Sequence, residues 1–210
     1  MILWTLRHTK PYNPKDVCYG QSDFDVAASF ESEFPPAIHF LQENCRATRL
    51  YSSPLQRCYK LAEKASGALG LSIEKADALK EMHFGDWENV KLSDVPQNQM
   101  AAWKADLRGY RFPNGESFHD VDKRVQEFIR SIYGEKAEVL CVSHAGVIAA
   151  IEHSVCGLPE TDFVEASFPY AMVTRFEIRQ DSAGRLSGSF QTLYGGMEQP
   201  SLIDYIQTLG

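Results

Sequence analysis

Two short apolar runs, each stopped abruptly by a histidine, constrain this chain more than any other feature. Ile2 to Leu6 ends in Arg7-His8, and Val139 to Val142 ends in Ser143-His144. Apolar runs this short, without alternation, read as strands buried on both faces, the habit of a parallel sheet covered by helices. Arg49 to Ser52 is a further short strand, and Ser53-Pro54 then opens a helix from about Leu55 to Leu69. Pro54 suits the first helical turn, where its missing N–H costs nothing. Val26 to Asn44 has helical spacing, with a break expected near Pro35-Pro36. Phe118, Val121, Val125, Phe128, Ile129 and Ile132 sit at helical spacing through to Gly134, and Val147 to Val155 reads as another helix. Ala171 to Ile178 and Ser189 to Tyr194 are expected strands, joined by a turn at Asp181 to Gly184. Strands alternating with helices predict an α/β fold. It should be a three-layer sandwich with a mostly parallel central sheet, helices on both faces and an antiparallel hairpin at one edge.

The 210 residues suffice for one sizeable core, and residues 1–210 are expected to form a single domain. Lys10 to Ser22 reads as a loop, and Pro113-Asn114-Gly115 as a turn. Lys80 to Val90 fits no regular element, and the weakly periodic stretch near 90–115 is expected to be a small cap insertion over the sheet. The net charge of −7 argues against nucleic acid or an anionic membrane as partner. It leaves room for an anionic small molecule in a local basic pocket. The N-terminus reads as a strand rather than a signal peptide, and no run reaches transmembrane length. Five scattered cysteines without CxxC spacing fit buried thiols in a reducing cytoplasm, the expected location. His39, His83, His119 and His153 show no metal-ligand spacing, so neither a metal nor another cofactor is expected. Nothing in the sequence sets the oligomeric state.

In an open parallel sheet, ligands bind at the carboxyl ends of the strands. Arg7, His8, Arg57 and His144 all fall just at or past such ends, so the topology should gather two guanidiniums and two imidazoles at one edge. Arginine offers paired N–H donors that match phosphoryl oxygens. A phosphate monoester is slow to hydrolyse, and its catalysis requires charge neutralisation, an in-line nucleophile and a proton for the leaving oxygen. A neutral imidazole can attack without first losing a proton, giving a labile phosphohistidine. Charge alone does not decide which histidine attacks, although His8 holds the more rigid position. Glu81, in Lys80-Glu81-Met82-His83-Phe84-Gly85-Asp86-Trp87-Glu88, is a candidate acid, because a bound dianion would make its carboxyl hold a proton more tightly.

Four ordered elements then carry a resemblance: Leu6-Arg7-His8-Thr9, Tyr51-Ser52-Ser53-Pro54-Leu55-Gln56-Arg57, Glu81 in its EMHFGDWE run, and Ser143-His144-Ala145-Gly146. Their order and spacing resemble the histidine phosphatases, the phosphoglycerate mutase-like superfamily. The resemblance implies His8 as nucleophile, Glu81 as proton donor, and Arg7, Arg57 and His144 as the phosphate clamp. It also suggests substrate contacts from Gln21, Ser22 and the Ala145 amide. Thr9 and Ala145 stand where relatives usually carry glycine. Cys18-Tyr19-Gly20-Gln21-Ser22-Asp23, the FGDWE stretch and Pro113-Asn114-Gly115-Glu116-Ser117 look like the α-ribazole phosphatase branch. That likeness implies a phosphomonoesterase removing the 5′-phosphate of α-ribazole phosphate in cobalamin synthesis.

The rivals are a broad phosphatase for small metabolites, a phosphoglycerate mutase, and a non-catalytic module that binds phospholigands. Binding alone would need neither His8 nor Glu81. Taken singly, each site residue also has an ordinary reading as a strand end, a helix cap or a solvated side chain. Trp87 and Phe84 are more simply core or pocket wall, and Lys91, Lys104, Arg108 and Arg111 a solvated face.

Overall fold

In a computed structural model, whose described residues are 1–134, 136–159 and 167–195, the two histidine-terminated runs are neighbouring strands. β1 (Ile2–Arg7) and β4 (Glu138–Ser143) pair in parallel, with Arg7 opposite Ser143. β2 (Arg49–Ser52) lies parallel on the far side of β4, with Ser52 opposite Val142, and β3 (Ile73–Lys75) forms the edge beyond it. On the other side of β1, β5 (Val173–Gln180) runs antiparallel and pairs with β6 (Leu186–Tyr194) as a hairpin. The order β3-β2-β4-β1-β5-β6 gives one mostly parallel six-stranded sheet among the described residues, the expected fold class. The edge strand β3 escapes the sequence pattern because it is three residues long, with Glu74 and Lys75 exposed as an edge tolerates.

Side-chain alternation along the strands divides the core. Trp4, Leu6, Leu50, Leu140 and Val142 face α1 (Phe30–Asn44) and α2 (Gln56–Leu69). Leu3, Tyr51, Val139 and Cys141 face α4 (Phe118–Ile132) and α5 (Ala145–Ser154) on the opposite side. α4 owes its start to a capping box between Ser117 and Asp120, and its face to buried Val121, Val125, Ile129 and Ile132. α5 begins at Ala145, two residues earlier than the apolar run suggests, with His144 as its N-cap.

The break expected at Pro35-Pro36 does not occur. α1 runs through both prolines, held by buried Phe30, Ala37, Ile38 and Leu41. The carbonyls that the prolines leave without intrahelical donors belong to Glu31 and Ser32, whose side of the helix is exposed to water. Residues 80–90 contain a 3₁₀ turn at Gly85–Trp87, and the 90–115 stretch contains α3 (Gln97–Ala105). Trp87, Met100, Trp103 and Phe112 are buried together on the α4/α5 side of the sheet. Trp87 and Phe112 meet edge to face, so Trp87 is core, as its simpler reading held. Arg108 pairs with buried Asp122 at 3.0 Å and Arg111 with Asp120 at 2.8 Å, so these two cations tie the stretch to α4.

The chain leaves β1 toward α1 on one face and leaves β4 toward α5 on the other. Diverging connections from adjacent parallel strands open a crevice at their carboxyl ends. That crevice fixes where chemistry can occur.

Candidate active site

The register brings three strand ends level. The His8 amide donates to the Ser143 carbonyl at 3.0 Å, and the Ser53 amide to the Val142 carbonyl at 3.0 Å. His8 and His144 therefore stand side by side, ring centroids 5.0 Å apart and edge to face. Both are buried.

The hydrogen bonds of His8 define its reactive atom. Nδ1 lies 2.7 Å from the carbonyl oxygen of Thr9, which can only accept, so Nδ1 carries the hydrogen and Nε2 keeps a lone pair. Burial pushes the His8 pKa well below the ordinary imidazole range, and the nearby Arg57 and Arg7 guanidiniums push it further. At neutral pH the ring is an uncharged base. His144 is shifted the same way, first by burial and then by Arg57, His8 and Arg7. Its Nε2 lies 2.9 Å from the Ser53 hydroxyl and 3.3 Å from the Cys58 thiol. Burial raises the Cys58 pKa to about 12, so that thiol stays protonated.

Arg57 is fully buried near the start of α2. It donates to the carbonyls of Ser22 at 3.0 Å and Gly20 at 2.5 Å, which ties the loop after Tyr19 to the strand ends. Its Nε is buried without an acceptor among the described residues. Arg7 donates to the Phe168 carbonyl and lies 4.4 Å beneath the Tyr170 ring, a cation–π contact. Tyr170 in turn sits 5.6 Å from the His8 ring, and its hydroxyl meets that of Tyr19 at 3.2 Å.

Glu81 is half-buried beside the first turn of α5. Its Oε1 accepts from the Met82 amide at 2.9 Å, and its Oε2 from the Gly146 amide at 3.2 Å. A Cβ on Gly146 would meet this carboxylate, so a larger residue there would displace the Glu81 side chain from its present place. Gln21 reaches the same residue, donating from Nε2 to the Glu81 carbonyl at 3.2 Å. Ser22 is engaged otherwise: its hydroxyl donates to Glu88 and accepts from Asn89 at 2.9 Å. Ala145 is the first residue of α5, next to His144. The fold thus gathers Arg7, His8, Arg57, His144, Glu81, Gln21 and Ala145 around one crevice, with Ser22 in its wall.

Sequence reasoning missed several supporting groups. Glu88 accepts from the Gln21 amide at 2.8 Å, the Ser22 amide at 2.5 Å and the Phe84 amide at 3.1 Å, so it anchors the loop. Arg124 on α4 donates to the Glu81 carbonyl at 3.1 Å and to both oxygens of Glu116. Arg124 is half-buried off the apolar stripe of α4, so the helical pattern gave no signal for it. The tyrosine pair had no signal, because Tyr19 and Tyr170 are 151 residues apart in the chain. Among the described residues, no group of His, Cys, Asp and Glu is arranged to hold a metal ion, and no helix is long and apolar enough to cross a membrane.

Comparison with known proteins gives a consistent outcome. A sequence model described as the histidine phosphatase superfamily (branch 1) matches residues 3–187. A Hydrogenobacter thermophilus protein provisionally named phosphoserine phosphatase 2 is 28% identical over 162 residues, covering 74% of this chain and 79% of that protein. The adenosylcobalamin/alpha-ribazole phosphatase of Escherichia coli K12 is 27% identical over 164 residues, covering 76% of this chain and 81% of that protein. Among solved structures, a mycobacterial glucosyl-3-phosphoglycerate phosphatase superposes with a TM-score of 0.76 at 24% identity, covering 93% of this chain and 99% of the other.

Proposed function

The chain belongs to the histidine phosphatase superfamily (branch 1) and is a phosphatase, and on that premise we propose that it hydrolyses small phosphate monoesters through a covalent phosphohistidine on His8. The observation that carries this reading is the Nδ1 hydrogen bond of His8 to the Thr9 carbonyl, which leaves Nε2 as a neutral base at the strand edge. Nε2 attacks phosphorus in line, and the P–O bond to the leaving group breaks. Arg7 and Arg57 neutralise the equatorial oxygens, and His144 adds a ring N–H donor. The orphaned Nε–H of Arg57 supports this role, since a phosphoryl oxygen would supply its acceptor. Glu81 acts as the general acid and gives a proton to the leaving oxygen. The resulting carboxylate then takes a proton from the water that attacks the phosphohistidine, which releases phosphate and restores His8. The Ala145 amide at the start of α5 is a further donor toward the bound anion.

The substrate we favour is α-ribazole 5′-phosphate, in a cytoplasmic setting. The Cys18 to Asp23 loop, the FGDWE stretch and the relative in Escherichia coli support it. We further propose that residues 1–210 are one domain in which 90–115 serve as a small cap. The test is phosphate release from a metabolite panel that includes α-ribazole 5′-phosphate, phosphoserine and glucosyl-3-phosphoglycerate, run with chelator and with a His8→Ala control. We expect selective turnover of α-ribazole 5′-phosphate that disappears in the control. Equal turnover of the panel would remove the cobalamin assignment and keep the chemistry; undiminished turnover in His8→Ala would remove the chemistry.

A further inference from the structure

One cavity next to the crevice plays no part in the chemistry above. It encloses about 450 Å3, and three tyrosines, Tyr12, Tyr19 and Tyr170, contribute to its wall. Tyr170 lies 5.6 Å from the His8 ring and Tyr19 packs on Arg57 at 5.2 Å, so these two side chains form the wall between the cavity and the crevice. Further wall comes from the loop after β1, whose first lining residue, Lys10, is two residues beyond His8.

That loop is built, not slack. The Lys10 carbonyl accepts from the Ala27 amide at 2.9 Å, and the Tyr12 amide donates to the Asp25 carbonyl at 2.7 Å. Pro11 bridges to Val26 between them. Beyond Tyr12, the Asn13 side chain closes the turn, donating to the Val17 carbonyl at 2.8 Å and accepting from the Val17 amide at 3.2 Å. On this fixed backbone Tyr12 is 61% exposed, the one large hydrophobic side chain left exposed among the described residues. A rigid aromatic held open to water beside a cavity loses little entropy when a flat ring stacks on it. The charged groups of the lining are Lys10 and Asp16, one of each sign. Such a lining offers no surplus cation for a second acidic group on the substrate.

We infer that this cavity is the leaving-group subsite and that Tyr12 is its specificity-determining residue, stacking on a flat heterocyclic group carried by the alcohol portion of the ester. The inference deepens the phosphatase reading of the same crevice and rests on it. It names the substrate class as nucleoside-like monophosphates, ahead of bare sugar phosphates or phosphoglycerates.

The experiment compares kcat/KM for two base-bearing esters, α-ribazole 5′-phosphate and AMP, each against ribose 5-phosphate, which lacks the heterocycle. The parent enzyme should prefer the base-bearing member, and Tyr12→Ala should reduce that ratio about 5- to 10-fold, the size of one aromatic stack, through KM. Tyr12→Phe, which keeps the ring, should retain the ratio. A parent that turns over all three esters without preference, an unchanged ratio in Tyr12→Ala, or an equal loss in Tyr12→Phe would each overturn the subsite. A parent that hydrolyses none of them but does hydrolyse phosphoserine or 4-nitrophenyl phosphate would overturn the subsite alone, whereas a parent inactive on every ester would overturn the phosphatase reading itself, a distinguishable failure. A preference seen with AMP but not with α-ribazole phosphate would keep the subsite and displace only the named substrate.

Discussion

Glu81 already has two amide donors on its carboxylate before substrate arrives, from Met82 and from Gly146 at the start of α5. They fix its position, and Arg124 and Gln21 fix its backbone by donating to the Glu81 carbonyl. As an acid, its contribution must scale with the basicity of the leaving oxygen. Glu81→Gln is therefore expected to lower kcat on an alkyl ester such as glycerol phosphate by about 10²–10⁴-fold. It should lower kcat far less on 4-nitrophenyl phosphate, whose leaving group departs unprotonated, and inorganic phosphate should still inhibit the variant. An equal loss on both esters would mean that Glu81 positions the site and is not the acid. His8 complements it: burial and two guanidiniums hold its ring neutral below the usual range. The nucleophile thus stays available at pH values where an ordinary imidazole would be protonated.

At the scale of elements, α5 connects the site to a buried charge. Val147 to Ile151 are all buried, and so is Glu152 one residue later. Burial raises the Glu152 pKa to about 7. A carboxyl whose folded pKa lies above its unfolded value stabilises the fold below the ordinary carboxylate range, and that stability is lost as pH rises through about 7. Ionising it in place costs about 3 kcal/mol. Glu152→Gln, which cannot ionise, should match the parent in urea denaturation at pH 4 and exceed it by up to about 3 kcal/mol above pH 8. A difference independent of pH would place the effect in packing instead. Elements like α4, with its capping box and regular apolar stripe, were legible in the sequence, as were the strands that end in histidine. The prolines of α1 misled because local propensity opposes a helix there, whereas tertiary burial of Phe30, Ile38 and Leu41 maintains one. The 80–90 stretch carries no period because its order comes from Glu88 and Arg124, which bond to backbone from other elements.

For the whole molecule, the chain carries a net charge of −7, yet Arg7, Arg57 and Arg124 converge around one crevice. The sheet makes that possible: diverging connections from β1 and β4 leave the crevice open, and the register sets His8 beside His144. His8, Arg7, Arg57 and His144 could be gathered from sequence because topology, not local pattern, assembles them. Tyr12, Tyr19 and Tyr170 could not, since which loops meet over a strand edge depends on packing that short motifs do not encode. The central claim is that this architecture transfers phosphate to His8. Its most direct test is to mix the enzyme with labelled phosphate ester, quench in alkaline denaturant within milliseconds, and map the label by peptide mass spectrometry. The account predicts alkali-stable, acid-labile phosphate on the peptide containing His8 and none in His8→Ala. Label on a serine or cysteine, or turnover with no labelled protein at any quench time, would contradict it.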